Sequence, residues 1–257
     1  MGKERIDDAF KEKMAAKQNI FVPYIMAGDG GLDHLDEQID FLQECGVAAI
    51  ELGIPFSDPV ADGPTIQRAG IRALKNGVTL SNVLQTLKHS KKDRTIPIIL
   101  MTYINPIFSY GVEEFARDCQ ASGVDGVIIP DVPLEEESLV TSLLKKYSIA
   151  FIRLAALTSP QERLAELAKR SEGFLYAVAV KGTTGTRTTH EGKVNAYLEQ
   201  LMENSNVPVL AGFGVSNKEQ AQELSSHCDG IIVGSKIVEL LHEGEKDAIK
   251  KLIQGSL

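Results

Sequence analysis

The chain has 257 residues, of which 43% are hydrophobic, and a formal net charge of -8 at pH 7. This length allows a large buried core, and no shift in composition divides the chain, so we expect one domain over residues 1–257. The negative charge argues against a nucleic-acid partner, because phosphate backbones need lysines and arginines to neutralise them. The one short basic group, residues 91–94, is expected to be a solvated helix end.

The three cysteines, Cys45, Cys119 and Cys228, lack the spacing of metal ligands and cannot all pair within one chain. Free thiols in a reducing cytosol fit them better, and we expect no metal site. The first residues are charged and lack the apolar core of a secretion signal, and no run approaches the roughly 20 apolar residues of a membrane helix. These features predict a soluble, cytoplasmic protein without a membrane partner.

In chain order, residues 3–17 predict an extra helix, and eight apolar, β-branched runs then alternate with helical segments. This alternation is typical of parallel strands joined by crossover helices. The predicted strands are residues 20–26, 48–52, 98–102, 126–130, 150–154, 174–180, 207–211 and 230–233. The predicted helices are residues 32–45, 82–89, 111–121, 134–147, 160–170, 217–224, a short turn at 236–241 that Gly244 ends, and 245–253.

Start signals precede three of these helices: Ser81, Ser159 followed by Pro160 at the first helical position, and Ser216. Eight repeats in a chain of this length predict a (β/α)8 TIM barrel with an extra N-terminal helix, which could cover the lower mouth of the barrel. An open doubly wound sheet is the alternative. Its dinucleotide-binding form needs G-x-G-x-x-G after the first strand, and residues 28–31 lack that spacing.

One carboxylate, Glu51, lies at the end of the second predicted strand, and another, Asp62, lies in the loop that follows it. Glu51 shares a strand face with Val47 and Ala49, so it points where small apolar residues point, into a barrel or pocket. Burial there raises the pKa of a carboxyl, which can then donate a proton at neutral pH. Asp62 lies in a more polar loop and is expected to stay ionised, and two carboxylates in different environments can divide acid and base roles.

Ordinary turn chemistry is the competing explanation for the loop, since its Ser, Asp, Pro and Gly residues are common in turns. It explains Asp58 as well as a function does. It does not explain Glu51, because burying a carboxylate without a purpose or a partner is costly.

Glycine-containing segments follow predicted strands six, seven and eight: residues 181–185, 212–216 and 234–235. Barrel enzymes commonly bind a substrate phosphate with backbone N–H groups of the last loops and a helix N-terminus, and glycine allows the close approach. Ser235 can add a hydroxyl. The Thr-rich residues 182–192 predict a mobile lid, in which Thr184 could hydrogen-bond Asp62. A plain polar loop is the alternative for this segment.

The motif from Ile50 to Gln67, together with residues 21–24, 101–106, 130–133, 174–176, 212–214 and 233–235, resembles the tryptophan synthase alpha subunit family over nearly the whole chain. The resemblance implies a lyase that cleaves indole-3-glycerol phosphate to indole and glyceraldehyde 3-phosphate. Carried over to this chain, Glu51 is the acid/base that protonates C3 of indole, and Asp62 holds the indole N–H. Tyr176 orients the substrate or the carboxylate. The implied indole slot and phosphate site comprise Phe21, Ile66, Met101, Phe213, Gly185, Gly214, Gly234 and Ser235.

The resemblance also implies a partner, the pyridoxal-phosphate-dependent beta subunit, in an alpha2-beta2 heterotetramer, while the alpha chain carries no cofactor itself. Residues 57–59, 105–107 and 131–133 match the loops that face this partner. They include Ser57, Asp58, Pro59, Asn105, Asp131 and Pro133, for which ordinary loop chemistry is the alternative.

The lid departs from the family pattern, because Thr183 replaces the usual valine and Lys181 is unexpected. Lys181 raises one rival, a Schiff-base aldolase, although a solvated cation is the ordinary expectation beside a Gly/Thr loop. A second rival is a non-catalytic barrel that only activates a partner enzyme. The presence of both Glu51 and Asp62 argues against it.

Overall fold

A computed structural model describes residues 2–178, 187–212, 214–215 and 217–257, with the side chains of residues 187–191 excepted. Eight parallel strands form a closed barrel in which each strand pairs with the next and the last pairs with the first. The predicted TIM barrel is therefore confirmed. The strands are β1 (Ile20–Met26), β2 (Ile50–Gly53), β3 (Ile98–Met101), β4 (Gly126–Ile128), β5 (Ala150–Ala156), β6 (Leu175–Val178), β7 (Val209–Gly212) and β8 (Gly230–Val233).

The helices surround this barrel and connect its strands. They are α1 (Lys3–Ala15), α2 (Leu35–Glu44), α3 (Pro64–Lys75), α4 (Leu80–His89), α5 (Ile104–Tyr110), α6 (Val112–Ser122), α7 (Ser138–Lys146), α8 (Gln161–Arg170), α9 (Arg187–Asn204), α10 (Lys218–Ser225), α11 (Ser235–Glu243) and α12 (Lys246–Ser256). A short 3-10 turn, Leu32–His34, precedes α2. No helix of the described part of the chain is long and apolar enough to cross a membrane.

Three helices were not predicted: α3, α5 and α9. The first two each begin inside a segment rich in turn residues, and α9 begins inside the segment that was predicted as a lid. Gly63 is the N-cap of α3 and Pro64 its first residue, which is a recognisable start signal. Three predicted caps were wrong. Thr79, not Ser81, forms a capping box at α4; Asn217, not Ser216, caps α10; and Pro160 is the N-cap of α8 rather than its first residue.

The helix α1 covers the end of the barrel at which the strands begin, as expected. Its Ile6 and Phe10 are buried against inward-facing strand residues such as Ile20 and Val22. The rings of Phe10 and Phe174 lie 5.8 Å apart. Because this end is filled by apolar side chains, the open cavity of the barrel lies at the opposite end, where the strands terminate.

The basic group at residues 91–94 is not simply solvated, which corrects the prediction. Arg94 is buried and donates hydrogen bonds to the carbonyl oxygens of Leu87, at 2.5 Å, and of Ser122. It therefore satisfies carbonyl groups at the C-terminal ends of both α4 and α6, which a helix leaves without intrahelical partners. The three cysteines are free, as predicted, and all three are buried.

Candidate active site

Glu51 is the second residue of β2, and its side chain is directed into the barrel. It is paired in register with Tyr24 of β1 and Ile99 of β3, and only 1% of it is exposed. Neither carboxyl oxygen has a hydrogen-bond partner among the described residues. Burial, and secondarily the charge of Asp62, raise the pKa of Glu51 from 4.5 to about 8. Glu51 is therefore a protonated acid at neutral pH.

Asp62 lies in the loop between β2 and α3, and hydrogen bonds of its own backbone stabilise this loop. Its N–H donates to Pro59 O at 3.0 Å, and its carbonyl accepts from the Gln67 amide at 2.9 Å. Burial raises the pKa of Asp62 from 3.8 to about 6, although a hydrogen bond from Tyr103 opposes the rise. The setting is less polar than the sequence suggested, but Asp62 is still mainly ionised at pH 7.

Both carboxylates line one cavity of about 230 Å³ at the upper end of the barrel. The predicted residues that line it are Glu51, Asp62, Ile66, Met101, Tyr176, Gly214, Gly234 and Ser235. Gly212, from a predicted phosphate-binding segment, also lines it, and the lining residues that sequence analysis did not assign are Tyr24, Ala61, Gly63 and Ile232. The cavity thus brings together residues from widely separated parts of the chain. Two of them carry carboxyl groups, one protonated and one ionised.

Phe21 does not line this cavity, which corrects its assignment to the indole slot. It is fully buried, and it alternates along β1 with Ile20 and Val22, which belong to the cluster inside the barrel. Because side chains alternate along a strand, Phe21 points outward toward the helices. Tyr24 has the inward phase and lines the site instead. The alternation of side chains along β1 could have identified Tyr24 as an inward-facing residue from the sequence.

Two glycines make room for the tyrosines of the site. A Cβ atom at Gly53 would overlap the Tyr24 ring and hydroxyl, and one at Gly212 would lie 2.5 Å from a ring carbon of Tyr176. Burial raises the pKa of both tyrosines well above 10, with further contributions from Glu51 and Asp62. Gly212 was predicted as part of a phosphate loop, but its contact is with the Tyr176 ring.

The rim of the cavity contains the residues suited to an anion. Gly214 has a φ of 65° and nothing near the position of a Cβ atom, and Gly234 is the N-cap of α11. Ser235 is the first residue of that helix and lines the cavity. A helix N-terminus with backbone N–H groups and a hydroxyl favours a phosphate group.

Several predicted residues lie outside the described part of the chain: Lys181, Thr183, Thr184, Gly185, Phe213 and Ser216. The predicted lid at residues 182–192 is only partly testable for the same reason. Its second half, from Arg187 onward, is the beginning of α9 and therefore helical rather than a loop.

The three predicted partner loops lie at the same end of the barrel as the cavity. Ser57, Asp58, Asn105, Asp131 and Pro133 are exposed, and Pro59 is half-buried. The Asp131 carboxylate accepts the backbone N–H of Ile104 at 3.0 Å, at the start of α5. Ile107 is fully buried and cannot face a partner, which corrects that part of the prediction.

A second cavity, of about 290 Å³, lies beside the ends of β4 to β6. Its wall contains the buried Arg153, which donates to Glu137 at 2.8 Å and to backbone carbonyls. The positive charge is thus already paired. Among the described residues, no group of three or more His, Cys, Asp and Glu side chains could hold a metal ion.

The model of the family described as "Tryptophan synthase alpha chain" matches residues 10–256. A tryptophan synthase alpha chain of Oceanobacillus iheyensis is 60% identical over 257 residues, covering 100% of this chain and 98% of the relative. One from Bacillus cereus is 48% identical, with the same coverage. The crystal structure of tryptophan synthase subunit alpha from Legionella pneumophila has a TM-score of 0.89 at 32% identity, covering 100% of this chain and 97% of that one.

Proposed function

This chain belongs to the tryptophan synthase alpha chain family, and from that premise we propose which of its residues perform the chemistry. The reaction is the cleavage of indole-3-glycerol phosphate to indole and glyceraldehyde 3-phosphate, a lyase step of tryptophan biosynthesis. The observation that carries the assignment is the pairing in one cavity of protonated Glu51 with ionised Asp62.

Glu51 is the proposed catalytic acid and base. Its carboxyl proton adds to C3 of the indole ring, and the bond between C3 and the glycerol carbon can then break. The glycerol hydroxyl loses its proton as the aldehyde forms, and the Glu51 carboxylate accepts that proton, which restores the starting state. General acid–base catalysis of this kind favours a pKa near the working pH, which a value of about 8 provides.

Asp62 is proposed to accept the indole N–H and to stabilise the positive charge that develops on the ring nitrogen when C3 is protonated. This role requires its carboxylate form, which predominates at pH 7. Placing a fixed negative charge where positive charge develops stabilises the transition state more than the ground state.

The remaining walls divide into an apolar and a polar part. Ile66 and Met101 are proposed to contact the indole ring, and Tyr176 to orient the substrate or Glu51. Gly214, Gly234 and Ser235 are proposed to bind the phosphate with the N-terminus of α11. Three residues outside the described part of the chain have proposed roles as well. Phe213 completes the indole slot, Thr184 contacts Asp62, and Gly185 belongs to the phosphate site.

We also propose that the chain is one cytoplasmic domain that works with a beta subunit in an alpha2-beta2 heterotetramer. The exposed loops around Asp58, Asn105 and Asp131 share an end of the barrel with the cavity, so a partner seated there is close to the point of indole release. The pyridoxal phosphate of the second reaction belongs to that partner, and the proposed cleavage uses side chains of this chain alone.

The test is indole release from indole-3-glycerol phosphate by the purified chain, alone and with an added beta subunit. Slow release that rises strongly with the partner is expected. A folded chain that releases no indole in either condition would contradict the assignment. Trapping of substrate on Lys181 by borohydride would favour the Schiff-base aldolase, and activation of the partner without cleavage would favour the non-catalytic barrel.

A further inference from the structure

Tyr103 is not among the residues that line the cavity, but it contacts the loop that contains Asp62. It lies two residues after the end of β3 and is the N-cap residue of α5, and only 3% of it is exposed. Its hydroxyl oxygen accepts the backbone N–H of Ala61 at 3.0 Å. The residue that precedes Asp62 in the chain is therefore bound to a side chain from the connection between β3 and α5.

A side-chain hydrogen bond between Tyr103 and Asp62 is also among the causes that set the pKa values of both groups. A hydroxyl group has one proton to donate and can accept as well, so accepting from Ala61 leaves the proton available. The Asp62 carboxylate accepts it, and this hydrogen bond opposes the rise in the pKa of Asp62 that burial causes. One hydroxyl thus fixes the backbone immediately before Asp62 and stabilises the ionised form of its carboxyl group.

The Tyr103 side chain is itself held in place from two further sides. The Phe56 ring lies with its centroid 5.2 Å from that of Tyr103, at an angle of 31°. The backbone that follows is fixed by the Asp131 carboxylate, whose two oxygens lie 3.0 and 3.3 Å from the Ile104 nitrogen. The orientation of the hydroxyl therefore depends on the loop that follows β4.

We propose that Tyr103 is a positioning residue that holds Asp62 in its substrate-binding orientation and connects it to the loop that contains Asp131. The proposal rests on the proposed function, in which Asp62 acts as a carboxylate. It assigns a role in the reaction to a residue that does not touch the cavity. It also gives the exposed Asp131 loop a physical connection to the site.

Other titratable groups face Asp62 and must be kept constant in any test. Glu51 approaches from β2, Tyr24 from β1 and Tyr176 from β6, and Asp131 lies on the far side of Tyr103. None of them is altered by replacing the Tyr103 hydroxyl with hydrogen. Tyr103→Phe also keeps the ring that contacts Phe56.

The experiment is the pH dependence of kcat/KM for indole release by the full chain carrying Tyr103→Phe. Loss of a hydrogen bond to a charged acceptor is worth about one pKa unit or more. We therefore expect the acid limb of the profile, near pH 6 in the wild type, to move upward by about one unit. At pH 6 activity should fall roughly fivefold, and very little at pH 8, because Asp62 is ionised there in both proteins.

Tyr110→Phe is the matched control. Tyr110 ends the same helix and donates to the Asp118 carboxylate at 2.7 Å, so this variant also removes one Tyr–Asp hydrogen bond. It should leave the acid limb in place. An unmoved limb in Tyr103→Phe, or an equal movement in both variants, would overturn the proposal, since either result indicates a structural role only.

A titration that needs no turnover separates this inference from the proposed function. The Asp62 carboxyl carbon can be followed by NMR, with its signal assigned by its loss in Asp62→Asn. Its pKa should rise by about one unit in Tyr103→Phe and stay constant in Tyr110→Phe. A constant pKa in both variants overturns the role of Tyr103 whether or not the chain cleaves the substrate.

Discussion

Glu51→Gln should change how the stability of the protein depends on pH. In the folded chain the pKa of Glu51 is about 8, against 4.5 for an unperturbed glutamate. Below pH 4.5 Glu51 is protonated in both the folded and the unfolded chain, so its ionisation does not change the free energy of unfolding. As pH rises from 4.5 to 8, the unfolded chain gives up its proton while the folded chain keeps it, so the folded state progressively loses stability.

The magnitude follows from the difference of 3.5 pKa units between 8 and 4.5. Each unit corresponds to about 1.4 kcal/mol, so the loss reaches roughly 5 kcal/mol above pH 8. That is a large part of the 5–15 kcal/mol typical of a folded domain. Glutamine keeps the shape of the protonated side chain and cannot ionise, so the variant should lose none of this stability as pH rises.

Urea unfolding at half-unit steps from pH 5 to pH 9 measures the effect. The free energy of unfolding of Glu51→Gln minus that of the wild type should rise by about 1.4 kcal/mol per pH unit up to pH 8 and then level off. Glu113→Gln is the control, because the exposed Glu113 pairs with Lys146, which lowers its pKa below 4.5. Its titration lies below the window, so its curve should parallel the wild type. If the curve for Glu51→Gln also parallels the wild type, the conclusion that Glu51 is buried and protonated at neutral pH is refuted.

Three further changes test the walls of the site. Gly53→Ala should destabilise the fold by about 1–3 kcal/mol in urea unfolding and lower activity, because the new Cβ overlaps the Tyr24 ring. Gly70→Ala in α3 is the control, because its Cβ meets only ordinary contacts. An equal loss of stability in both variants would contradict this reason. Ser235→Ala should raise KM for the phosphorylated substrate about tenfold with little change in kcat, and an unchanged KM would remove Ser235 from the phosphate site. Asp62→Asn should abolish the acid limb near pH 6 in the rate profile, so a limb that persists would assign it to another group.

The barrel could be predicted because its strands are continuous apolar runs and its repeats have regular length. The inward direction of Glu51 followed from the same alternation. The assignment of Phe21 was wrong because in β1 Tyr24, rather than Phe21, shares the face of the inward residues. Alternation along a strand determines which residues reach a barrel interior.

Other features depend on contacts between distant parts of the chain, which a local pattern does not contain. Gly212 resembles a phosphate-loop glycine in sequence, and only the packing shows that it accommodates Tyr176. Arg94 lies in a charged group typical of a solvated turn, yet it satisfies carbonyl groups of two helices. The pKa of Asp62 depends on the burial of its loop and on Tyr103, which is 41 positions away in the sequence (103 − 62).

The most direct test of the catalytic account is indole release by Glu51→Gln compared with the wild type, at saturating indole-3-glycerol phosphate and pH 7.5. Removal of a general acid and base should lower kcat by about 10²–10⁴-fold, while competition by inorganic phosphate for the site remains unchanged. Turnover within a few-fold of the wild type would contradict the role of Glu51. Loss of both turnover and phosphate binding would indicate a disrupted site instead.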